Sequence, residues 1–147
     1  MDRSDIGSWI GGPLPPADGY RGQRLGLPPT GPGAMAGIGR RVLALAIDWA
    51  AALLISRLLV EDSQSALQSF STLGVFGLEV ALLTWLAGAS FGQRIVGIRV
   101  VGLGRRLGLL GSALRTLLIC LAIPPLIWDS DGRGLHDRAV GSVVVRG

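Results

Sequence analysis

Three ionisable side chains stand inside long apolar runs of the chain: Asp48, Glu79 and Arg115. A carboxylate so placed supports two kinds of chemistry. It binds and releases a proton or a cation along a transport path, or it holds helices in register through a charge pair. Each charge costs roughly 2.5–3.5 kcal/mol at mid-membrane on insertion scales, so all three are expected to face a bundle interior. Asp48 lies seven residues beyond Arg41, about 10 Å along a helix. Arg115 lies six beyond Leu109, about 9 Å. The depths match if both runs start at one face, which allows an Asp48–Arg115 pair. Glu79, ten residues before Ala89, falls about 15 Å in, nearer the centre.

Other arrangements offer less. One cysteine, Cys120, excludes a disulfide scaffold. With a single His136 beside it, a multi-ligand zinc site is excluded as well. His136-Asp137 lacks the further histidines of a metal-dependent phosphohydrolase; His136 reads as an interfacial polar residue, and Asp137 as capping a turn or pairing with Arg133 or Arg138. Asp129-Ser130-Asp131-Gly132 opens like a calcium loop, but Val140 stands where the closing glutamate is required, so it reads as a turn. The glycines between Gly102 and Gly108 miss dinucleotide spacing. Cys120, deep in an apolar run without a basic neighbour, is inert. No catalytic residue, cofactor or metal is expected, and no enzyme.

The elements that must position these charges follow from composition. Of 147 residues, 49% are hydrophobic and 16% charged, with mean hydropathy +0.50; a soluble domain would have too few polar residues to cover such a core. The apolar residues gather at 42–60, 69–89 and 109–128. The first two runs predict spanning helices. The third, interrupted by Pro124-Pro125, predicts a helix that is kinked or re-entrant. The fold class expected is an all-α membrane protein of two to three transmembrane helices, with short extended interfacial segments. Those segments are 95–101 and 142–145, β-prone strings that either pair or lie apart at headgroup level. Residues 1–37, with six of the eight prolines, read as a flexible or loosely docked cytoplasmic leader, in which Trp9 and Tyr20 are candidates to touch the interface. Residues 38–147 form the membrane domain.

All fourteen basic residues are arginine and the pI is near 10.9. They flank the apolar runs, as membrane orientation requires, rather than forming a nucleic-acid surface. The leader through Arg41 holds five, the 90–108 connector four and the loop after the first run none, which places leader and connector in the cytoplasm. The arginine-rich tail would then lie outside if the third run crosses, and inside if it is re-entrant. On the first run, Ala44, Asp48, Ala52 and Ser56 recur every four residues with Arg41 on the same side, a small-residue ridge suited to close helix packing.

Four pieces together resemble the RDD family of small membrane proteins: GRRVLALAID, SFGQRIVGIRVVGLG, SALRTLLICLAIP and WDSDGRGLHDRAVGSVVVR. The resemblance covers about residues 37–146. It places the family's signature arginine on Arg40 or Arg41, with the heptad spacing favouring Arg41, its first aspartate on Asp48 and its second on Asp137. Members often carry Gly-Lys in the connector, where this chain has Gly92-Gln93-Arg94. The resemblance implies a membrane location, an unassigned molecular role with transport suggested, and no catalytic activity. The expected role is a non-catalytic helical bundle, multi-pass in the plasma membrane. It would pack or bind partners through buried charges, in a lipid bilayer and in association with itself or another membrane protein. The alternative is a small oligomeric transporter or cation/proton exchanger using Asp48 and Glu79.

Overall fold

The computed structural model describes residues 19–61, 66–121 and 132–147. Two 22-residue helices, α1 (Ile38–Leu59) and α2 (Ala66–Ala87), dominate it. Both are long enough to cross a membrane and apolar enough over an 18-residue stretch, with mean hydropathy 2.0 and 1.6 there. Runs of Ala and Leu without proline propagate them. They pack side by side and are locked at their joined ends, where the Gln68 amide donates to the Ser56 hydroxyl at 2.9 Å. Midway, the Trp49 and Phe76 rings meet edge to face with centroids 5.3 Å apart.

At the opposite end the chain turns back on itself. After Gly88 comes the five-residue α3 (Phe91–Ile95), then β1 (Ile98–Gly102), α4 (Leu109–Cys120), α5 (Leu135–Val140) and β2 (Ser142–Arg146). The two β-prone strings do pair: β1 and β2 run antiparallel, with Ile98 opposite Arg146 and Gly102 opposite Ser142. Connector and tail therefore share one end of the bundle. The last residues of the leader join them. Gly33 and Ala36 donate backbone bonds to Arg146 and Val144, and Met35 bridges to Val145, so residues 33–36 dock along β2. Tyr20 turns inward to donate its hydroxyl to the Leu27 carbonyl, while Trp9 lies outside the described residues. Ala36, Ala44, Ile98, Val100 and Val144 form the small core at this end.

Among the described residues the third apolar run is helical as α4, 12 residues or about 18 Å of rise; Pro124 and Pro125 lie outside the described residues. Cys120 reaches the level of Gly77, halfway along α2, and by α5 the chain is again beside α4.

Burial is inverted relative to a water-soluble domain. The interior faces of α1, α2 and α4 carry Arg41, Ala44, Asp48, Ala52 and Ser56; Gln68, Thr72 and Thr84 with Phe76 and Val80; and Ser112, Arg115, Thr116 and Ile119. Large apolar side chains point outward: Leu58 is 80% exposed, Phe70 73% and Leu110 84%. The ridge read at four-residue intervals on α1 is its buried face.

Candidate functional site

The buried charges meet between α1, α3, α4 and α5. Asp48, 2% exposed, accepts two short hydrogen bonds of 2.5 Å, from the Ser90 hydroxyl and the Gly92 backbone N–H. Glu79 Oε1 accepts the Phe91 N–H at 2.7 Å. The first turn of a helix leaves its backbone donors without intrahelical partners. Here two carboxylates from different helices take adjacent donors of α3. Ser90 completes the turn with a capping box: its hydroxyl accepts the Gln93 N–H, and the Gln93 side chain accepts the Ser90 N–H.

Gly92 makes this approach possible. A Cβ there would run into the Ala44 carbonyl and the Asp48 carboxylate, so only a residue without a side chain lets α3 lie against α1. The connector is therefore not a plain cytoplasmic loop; its first half is inserted among the helices. Ser90-x-x-Gln93 was the available signal for it.

Arg115 does not pair with Asp48. Its Nε donates to Asp137 Oδ1 at 2.6 Å, both side chains being almost fully buried. The Ser142 hydroxyl lies 3.0 Å from the same oxygen, and His136 Nε2 is 3.4 Å from the other. Asp137 thus belongs to the interior and is not a turn cap paired with a neighbouring arginine. Complete burial raises its pKa, but the guanidinium of Arg115, then His136 and Arg41, outweigh that and lower it from 3.8 to about 2. The carboxylate stays ionised.

Arg41 is spent on carbonyls: Ala36 at 3.1 Å, Gly132 at 3.0 Å and Val144 at 3.4 Å. It ties the segment before α1, the segment before α5 and β2 to one side chain. A partly open cavity of about 110 Å³ lies among these groups, bordered by Arg41, Asp48, Gln93, Arg115 and His136 with Val80 and Ile119. Two of the residues placed on the family signature, Arg41 and Asp48, line it directly; Asp137 stands behind Arg115 and His136. Cys120 is a free, half-buried thiol.

No protein-family model, curated protein or solved structure matches this chain.

Proposed function

We propose that the chain is a non-catalytic membrane-embedded packing module of the RDD type, held together by its buried charges and built to associate with itself or with another membrane protein. One observation carries this reading: Asp48, Arg115, Asp137 and Arg41 are each bonded to backbone or to a counter-charge that the fold itself supplies. Non-helical backbone is tolerated within hydrocarbon only where its polar groups are satisfied by protein, and that is the work these side chains do. The outward leucines support a lipid solvent, since in water such a surface drives aggregation, whereas in lipid helices associate through small and polar residues.

Substitution at Asp48 tests the role. Asp48→Leu removes both acceptors and leaves the Ser90 hydroxyl and Gly92 N–H unsatisfied, at a cost of about 1–3 kcal/mol for each buried group. Asp48→Asn retains one carbonyl acceptor and loses less. Membrane abundance should fall in the order wild type, Asn, Leu, without ion flux from wild-type vesicles. Equal abundance of all three would defeat the packing role.

The location has its own test. In a Cys120→Ala background, cysteines at Arg105 and Gly147 should react with an impermeant reagent from the same side of the membrane, and one at Glu61 from the opposite side. Reaction of Arg105→Cys and Gly147→Cys from opposite sides would contradict the re-entrant third run.

A second reading has one observation in its favour: Glu79 Oε2 is buried without a hydrogen-bond partner, next to the electrostatic reach of Asp48. That spare acceptor suits cation or proton exchange through Asp48 and Glu79. Flux in reconstituted vesicles, lost in Glu79→Gln at unchanged abundance, would favour this reading over the first.

A further inference from the structure

The sheet end of the bundle carries a cluster of arginines that the packing account does not use. Arg99 projects from the exposed face of β1, and Arg105 and Arg106 lie in the turn before α4. The side chain of none of the three makes a hydrogen bond or ion pair among the described residues, although those of Arg40 and Arg41 nearby both do. They border a cleft of about 450 Å³ against the last turns of α2, where Trp85 and Leu86 form an apolar wall. Arg105 and Arg106 also border a second cleft of about 630 Å³, walled by Leu110 and Leu114 of α4. Among the described residues no acidic side chain lines either cleft.

An apolar wall on each side of an unpaired cationic turn is complementary to one kind of molecule. It would be anionic at the head, with two hydrocarbon chains that can part around the turn. We propose that Arg99, Arg105 and Arg106 bind the phosphate of an anionic phospholipid in the leaflet on the sheet side, its acyl chains lying along α2 and α4. Guanidinium groups suit this task because their fixed fork of donors matches phosphate oxygens. The three charges also add to the attraction that basic residues feel toward anionic lipid surfaces. The inference rests on the membrane reading, because only in a bilayer is such a lipid at hand.

The test uses the full chain, reconstituted in a mixture of phosphatidylglycerol and phosphatidylcholine, with the lipid retained on the protein quantified by mass spectrometry. Wild type should enrich phosphatidylglycerol roughly tenfold or more. R99Q/R105Q/R106Q should bring the ratio near parity. The charge-matched control R94Q/R138Q/R146Q, whose arginines lie outside both clefts, should keep the preference. Equal loss in the two triple variants, or none in the first, overturns the cleft. If the first triple variant does not accumulate, the exposed single change Arg105→Gln carries the same comparison. Displacement of the lipid by millimolar inorganic phosphate overturns a lipid ligand in favour of a soluble phosphate. A chain that fails to insert into vesicles overturns the membrane reading instead, whereas an inserted chain with no lipid preference overturns this proposal alone.

Discussion

Asp137→Leu should unfold most of the protein. It strands the Arg115 guanidinium, 2% exposed and bonded to the lost carboxylate at 2.6 Å, in an interior where its charge has no other acceptor among the described residues. Removing one member of a buried ion pair costs about 3–5 kcal/mol, because the partner is left uncompensated. That is a large share of the stability of any small domain. The Ser142 hydroxyl loses its carboxylate neighbour in the same change, and the contact between α5 and α4 loses its polar centre. Thermal unfolding in detergent, or the amount of chain recovered from membranes, reads the effect. Arg115→Leu should be comparably severe. The double change R115L/D137L should be milder than the sum of the two, since a buried pair replaced by apolar side chains can come near neutrality. Additive losses would mean that the pair is not the unit holding α4 to α5.

The same pair sets an acid limit. Folding lowers the Asp137 pKa from 3.8 to about 2, so on acidification the unfolded chain takes up the proton first. The stability this group supplies is whole above the unfolded value and drains away as pH falls through 3.8 toward about 2. Melting temperature measured between neutral pH and about pH 2.5 should therefore fall more steeply for wild type than for R115L/D137L. Parallel curves would remove Asp137 from the acid response.

The buried face of α1 was legible in the sequence because it obeys a simple period: Arg41, Ala44, Asp48, Ala52 and Ser56 recur at helical spacing and are small or polar against large apolar neighbours. The two β-prone strings were legible for a similar reason, since runs of Val and Ile announce extended backbone, though not what it pairs with. Partner choice at the charges was not legible. Depth along a helix can be counted from its end, and on depth alone Asp48 and Arg115 match. Which groups arrive at that level depends on how the later elements pack against the two long helices. The Ser90 capping box turns the connector into the bundle and delivers the N–H groups of Phe91 and Gly92 to Glu79 and Asp48. The packing of α5 on α4 brings Asp137 to Arg115. A hydropathy profile registers the connector only as the end of an apolar run, and it says nothing of what α5 packs against.

Gly92→Ala should be nearly as damaging as the loss of Asp137, although it adds a single methyl group. Most glycine-to-alanine changes in helices stabilise, by up to about 1 kcal/mol, because alanine restricts the unfolded chain. Gly74, in the middle of α2 with open space at its Cβ position, is the internal control and should show that sign or no effect. At Gly92 the added carbon meets the Ala44 backbone carbonyl, which cannot rotate aside as a side chain would, and the Asp48 carboxylate as well. Relief requires α3 to move off α1. That movement lengthens the Gly92 N–H bond to Asp48, now 2.5 Å, pulls the Ser90 hydroxyl from the same carboxylate, and uncovers the Phe91 N–H that Glu79 accepts. Overpacking alone costs about 1–3 kcal/mol, and each buried donor set free adds about 1–3 kcal/mol. The comparison of G92A with G74A by thermal unfolding decides the matter. If alanine is tolerated equally at both positions, α3 is not seated against α1, and the carboxylates at 48 and 79 must be serving some end other than holding it there.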